Sequence, residues 1–188
     1  MKNKYESKFE QTGNLFEWQA IGEVDTKTHE YQKELRRFKE EVAGISEERE
    51  IYQEKARELA KKFQPYDPTR PNKYFARDVR LSLLDLMIEN KKWITYSEED
   101  QDRVKFYTTV KSPLDYCGID AFVEFKDLNG KKYLVTFDLT VNRYKKEYKS
   151  DILVPELPDP GSKEESMKYN ATIEEYAQKA LGVIEMRM

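Results

Sequence analysis

Between residues 27 and 64, apolar side chains recur at Tyr31, Leu35, Phe38, Val42 and Ile45, then at Tyr52, Ala56, Leu59 and Phe63. The steps alternate between four and three, which is a heptad seam broken only by Arg49. The pattern predicts either one helix, about 57 Å long at 1.5 Å per residue, or a helical hairpin. Gly44 and Ser46 mark where a hairpin would break, with Ser46 as the N-cap of its second helix. The stretch QPYDPTRPN over 64–72 cannot continue a helix, because Pro65, Pro68 and Pro71 lack the amide a helix needs. It divides a helical arm, 1–64, from a core, 65–188. Residues 1–25 read as a packed but irregular lead-in.

The core pattern changes from segment to segment. Residues 73–92 predict a largely buried helix with Asn72 as N-cap, apolar all round except for a stripe of Asp78, Ser82, Asp85 and Glu89. SEEDQD (97–102) reads as a loop or capped turn. VKFYTTV (104–110), IDAFVEF (119–125) and KKYLVTFDLTV (131–141) read as strands, the last two joined through Asn129-Gly130, and ILV (152–154) as a short fourth strand. SPLDYCG (112–118) reads as a loop. A last helix over 172–185 opens on a capping box, Thr172 to Glu175. The resulting fold class is α/β (α+β): a small mixed β-sheet flanked by helices.

Composition narrows the chemistry. The single cysteine, Cys117, excludes an internal disulfide and CxxC metal clusters, and fits a reducing, cytoplasmic setting. The single histidine, His29, excludes zinc sites built on several histidines. MKNKYESKFEQ has no apolar run, so no signal peptide is expected, and no stretch has the length and apolarity of a membrane span. The net charge of -3 places any anion-binding surface in a local patch. Such a patch exists: Lys126 to Lys149 holds seven basic residues against three acidic, interleaved with Tyr133, Tyr144 and Tyr148. Lys131, Lys132, Arg143, Lys145, Lys146, Lys149 and Tyr144 are its candidate nucleic-acid contacts.

Two aspartates sit within apolar strands. Alternation places Val135, Phe137, Leu139 and Val141 on one face of their strand, and Leu134, Thr136, Asp138 and Thr140 on the other. A two-residue turn would set Asp120 against Leu139. A three-residue turn over 128–130, with Gly130 left-handed, would set Asp120 opposite Asp138, and this register is favoured. Opposed like charges repel, and a hard divalent cation would offset that repulsion.

GIDAFVEF, the Asn-Gly turn and YLVTFDLT together resemble the core of the PD-(D/E)XK nuclease superfamily, the restriction-endonuclease-like fold. The resemblance covers roughly residues 73–155. It implies Asp120 and Asp138 as the two motif acids, with a further acid from the preceding helix, for which Glu89, Asp85 or Asp78 would suit. It implies Mg²⁺ or Mn²⁺ as cofactor, nucleic acid as partner, and hydrolysis of DNA or RNA phosphodiester bonds. The chain departs from the pattern at Thr140, where the motif has lysine. Lys145, Lys146, Lys149, Lys111 and Lys132 are candidates to supply the missing charge. The alternative expectation is a catalytically inactive protein on the same fold. It would bind nucleic acid or a protein and use helix 27–64 for a homodimer or a partner, as in a viral or mobile-element accessory or structural protein.

Overall fold

The heptad seam folds back on itself. The computed structural model describes residues 13, 15–91, 93–142, 149–155, 157–158 and 165–188. After a short helix over 15–20 (α1), the arm forms two antiparallel helices, α2 (His29–Glu41) and α3 (Glu50–Lys62). Tyr31 meets Phe63 and Phe38 meets Tyr52, each with ring centroids 5.2 Å apart. Thr28 caps α2 by accepting the Tyr31 amide at 3.2 Å. The chain turns through Gly44 at φ +77°. The N-cap of α3 is Arg49 rather than Ser46, and it makes no side-chain cap hydrogen bond. The seam closes on its own other half and on Tyr107, Leu114 and Phe122, so its apolar surface is used within the chain.

The sheet has four strands in the order β1-β2-β3-β4: β1 (Val104–Thr108), β2 (Ala121–Lys126), β3 (Lys132–Leu139) and β4 (Ile152–Val154). The first two pairings are antiparallel, and β4 runs parallel to β3. The Pro-rich connector covers the outer edge of β1. Phe106 donates its amide to the Pro68 carbonyl at 2.9 Å, and the Gln64 side chain exchanges two hydrogen bonds of 2.9 Å with the Thr108 backbone. Those bonds satisfy groups that an open edge would offer to another chain.

On one face of the sheet lie α4 (Tyr74–Leu86), which ends in a π-helical turn over Met87–Lys91, and the long C-terminal helix, numbered α6 below. Between them in sequence, α5 (Glu98–Gln101) is capped by Ser97. The C-terminal helix, α6 (Ser166–Arg187), begins six residues before the predicted capping box. Thr172 is inside it, and its hydroxyl donates to the Lys168 carbonyl at 2.8 Å. The N-cap of α4 is Lys73, not Asn72. Val135, Phe137 and Leu139 bury against these helices as alternation predicts, with Phe75 at the centre of an aromatic cluster of Phe106, Phe137 and Tyr176. The opposite face receives α2 and α3. There Lys61 lies over the Tyr107 and Phe122 rings and reaches the Glu124 carboxylate at 2.5 Å, fastening the arm to β2. Among the described residues, no helix is long and apolar enough to cross a membrane.

Candidate functional site

The turn between β2 and β3 sets the geometry of the two aspartates. Asp127 donates its amide to the Lys131 carbonyl at 2.9 Å, and Gly130 adopts φ +85°, so the loop holds Leu128, Asn129 and Gly130. Asp127 Oδ1 fixes it by accepting the amides of Asn129 and Lys131, each at 2.9 Å. The register is that of the three-residue turn, from Lys126 opposite Lys132 to Ala121 opposite Phe137. One further step would oppose Asp120 and Asp138, but the ladder departs there. Asp120 donates its amide to Phe137, the residue Ala121 already faces, at 2.9 Å. Two residues on one strand thus address one on the other, which is a β-bulge. The bulge engages the Asp120 carboxyl with the partner strand, where Oδ2 accepts the Leu139 amide at 2.6 Å.

A third aspartate arrives from the loop before β2. A 3₁₀ turn over Asp115–Cys117 ends at Gly118, whose φ of +77° suits a residue without Cβ. Asp115 Oδ2 accepts the Lys111 amide at 2.7 Å, and Lys111 itself holds a left-handed φ of +68°. The Asp115 and Asp120 carboxyls hydrogen-bond to each other. Glu17, on α1, and Asp138 complete the group of charges that act on Asp120. Asp120 is 5% exposed and Asp138 2%.

Electrostatics follow from that burial. Desolvation, then the charges of Glu17, Asp115 and Asp138, push Asp120 up to about 9, against the opposing pull of the Leu139 amide. Burial also raises Asp115, opposed by its hydrogen bonds from Lys111 and Asp120. Two carboxyls can share a hydrogen bond only with a proton between them. Asp120 therefore holds that proton at neutral pH and donates it toward Asp115.

An oxygen-only, buried, mutually repelling donor set suits a hard divalent cation rather than a soft one. Among the described residues, no three or more such side chains are arranged to hold an ion. Mg²⁺ requires less than that: it takes one or two carboxylates and keeps water on its remaining positions. Asp120 and Asp138 are the two carboxyls that would serve it, once the proton on Asp120 is displaced.

The other predicted site residues are dispersed. Asp85 and Glu89 are exposed and line a groove between α4 and α6. Asp138 belongs to the strand face of Leu134, which packs on the arm, while α4 packs on the opposite face. The sheet therefore separates Asp85 and Glu89 from the aspartate pair. Asp78 accepts the Tyr169 hydroxyl at 2.7 Å. Thr140 donates its amide to Val154 at 2.9 Å, and its Oγ1 accepts the Asn142 amide at 3.1 Å. Lys111 pairs with Glu23, and Lys132 with Glu124 at 3.7 Å. Lys145 and Lys146, with Arg143 and Tyr144, lie outside the described residues. Lys131, Lys132 and Lys149 border one cleft. Cys117 is buried, and burial raises its thiol.

Glu17 and Asp115 are the additions that the strand pattern did not reveal. Asp115 stands five residues before Asp120 and just ahead of Gly118, a turn signal that could have found it. Glu17 meets the site across about a hundred residues of chain, and nothing local marks it. No family model, no curated protein and no solved structure matches the chain.

Proposed function

We propose that this chain is a nuclease-like protein, built on a restriction-endonuclease-like core, that acts on nucleic-acid phosphodiesters with a divalent cation at Asp120 and Asp138. The observation that carries this reading is the bulged end of the β2–β3 hairpin, where the buried Asp120 and Asp138 lie beside the partly buried Asp115 and Glu17, three carboxyls acting on Asp120. When bound, Mg²⁺ or Mn²⁺ would supply the positive charge that a pentavalent phosphoryl group requires. The protein's own part is to hold and orient. The Leu139 amide fixes Asp120, and the Lys111 amide fixes Asp115. Asp115 is placed to accept the proton that Asp120 gives up. No lysine occupies the motif position, so any further cation must come from another segment.

A second reading rests on the Asp115–Asp120 hydrogen bond. Two buried acids that share a proton make a stable structural pair, and a protein on this fold that binds without cutting needs nothing more. Cleavage separates the two readings. Single- and double-stranded DNA and RNA are incubated with the protein and Mn²⁺, beside the Asp138→Asn variant. The nuclease reading expects products from the native chain and none from the variant. A folded, cation-binding protein that leaves all four substrates intact selects the second.

A further inference from the structure

A cleft of about 490 Å³ runs along β3 on the arm side of the sheet. Its walls carry Arg57 from α3, Lys131 and Lys132 from β3 and its turn, Lys149 before β4, and Arg187 at the end of α6. Only Glu50 and Asp151 oppose these five cations within the lining. Ile119 and Thr136 also line the cleft. Ile119 adjoins Asp120. Thr136 lies on the same strand face as Asp138, about 7 Å along the strand at 3.4 Å per residue. The cleft therefore borders chain neighbours of both aspartates.

The five cations differ in what already holds them. Arg187 grips Asp151 at 2.6 Å, Lys149 pairs with Glu48 at 3.1 Å, and Lys132 pairs with Glu124 at 3.7 Å. Lys131 lies over the Tyr133 ring, 4.7 Å from its centroid. Arg57 alone makes no hydrogen bond or ion pair among the described residues, although Glu54, Glu50, Glu58 and Glu124 are close enough to act on its charge. A half-buried guanidinium with an unused fork is costly unless a matching anion completes it. Phosphate, with its divided charge and paired oxygens, is the anion that a planar fork fits best.

We infer that this cleft is a phosphate-backbone track for a single nucleic-acid strand, with Arg57 of the helical arm as its free phosphate-binding fork. The arm, otherwise a cover for one sheet face, thereby forms a wall of the binding surface. Tyr133 is buried, and its hydroxyl is committed to Asp127 at 3.2 Å, so it offers no ring to stack on a base. Contacts in the cleft go to phosphate, which positions a strand without reading its sequence. This assignment rests on the proposed phosphodiester chemistry for its choice of polymer, but not for its geometry.

The test is fluorescence anisotropy with a labelled single-stranded DNA oligonucleotide of mixed sequence, in EDTA so that nothing is cut, over a salt series. The native chain is expected to bind regardless of sequence and to weaken steeply with salt. Arg57→Gln should weaken binding about three- to tenfold and lower the slope of log K against log salt by about one, with Arg57→Lys in between. Melting curves of the variants, unchanged from the native chain, keep loss of fold from passing as loss of binding. An Arg57→Glu protein that binds as the native chain does overturns the inference, as does a native chain that ignores the oligonucleotide at low salt. Poly-glutamate that competes equally, with the same dependence on Arg57, also overturns it by making the cleft a site for acidic protein. Binding without cleavage in Mn²⁺ would instead count against the nuclease reading and leave the track standing.

Discussion

The two faces of the four-stranded sheet are made by alternate residues of the same strands, yet they do different work. Toward α4 and α6, Val123, Phe125, Val135 and Phe137 join the apolar core, with the Arg103 guanidinium over the Phe125 ring. Toward α2 and α3, the same strands present Glu124, Thr136 and Asp138, and they meet Lys61, Arg57 and the loop aspartate Asp115. The first face is close-packed and gains mainly from hydrophobic burial, its one deeply buried charge on α4, Arg80, being satisfied by the Val104 and Gln101 carbonyls. The second buries charge, which costs free energy and is justified structurally only where partners are complete. Arg57 lies on the second face and Asp120 at the end of the hairpin, where Glu17 of α1 also acts on it, while on the first face Arg103, over the Phe125 ring, keeps two buried guanidinium nitrogens without a hydrogen-bond partner among the described residues. The α4–α6 groove lined by Asp85 and Glu89 includes none of Arg57, Asp120 and Asp138.

The sharpest break in the comparison comes from the dry face. Phe75→Ala removes the ring that touches Phe106, Phe137 and Tyr176, and should destabilise the protein by about 3–5 kcal/mol in a denaturant titration. The same variant, in conditions where it stays folded, should bind oligonucleotide as the native chain does. On the charged face, Glu124→Ala leaves Lys61, beside two aromatic rings, with only the exposed Glu58 carboxylate at 2.9 Å. The expected loss is about 1–2 kcal/mol, below the range for fully buried pairs because both side chains keep some exposure and Glu58 still pairs with Lys61. The paired replacement Lys61→Met with Glu124→Leu should cost less than Glu124→Ala, and lies within about 1 kcal/mol of the native chain. A double variant as unstable as the single one would mean that the ion pair itself holds the arm to the sheet.

Much of this was readable in the residues. The alternation in YLVTFDLT assigned both faces of β3, and Asn129-Gly130 with its left-handed glycine fixed a three-residue turn. The heptad seam left open one helix or two, since both bury the same positions. What decides it is the sheet beneath, whose Tyr107 and Phe122 the hairpin must cover. Helix starts were misjudged at Asn72 and Thr172 because tertiary contact, not capping chemistry, begins those helices; Tyr169 is buried and bonded to Asp78 before the capping box is reached. The bulge at Asp120 was invisible because it depends on a hydrogen bond between distant backbone groups. Asp85 and Glu89 followed a helical stripe correctly, but a stripe records its direction only relative to its own helix. Arg57 looked like one more solvated charge among the ten cations of the arm.

The central claim is that Asp120 keeps a proton whose place a hard cation can take. Its folded-state value, about 9, lies above the unfolded value near 4, so the folded state binds the extra proton between them. That contribution to stability is fully present below about pH 4 and is lost as pH rises toward about 9. Asp120→Asn mimics the protonated acid, since the amide can accept from Leu139 and donate to Asp115, and it no longer titrates. The direct measurement is the melting temperature of the native chain and of Asp120→Asn from about pH 5 to about pH 9, in EDTA and then with Mg²⁺. The native chain should lose stability relative to the variant as pH rises, and Mg²⁺ should restore it at the alkaline end while leaving the variant unmoved. Parallel pH profiles for the two proteins, with an equal response to Mg²⁺, would contradict the account.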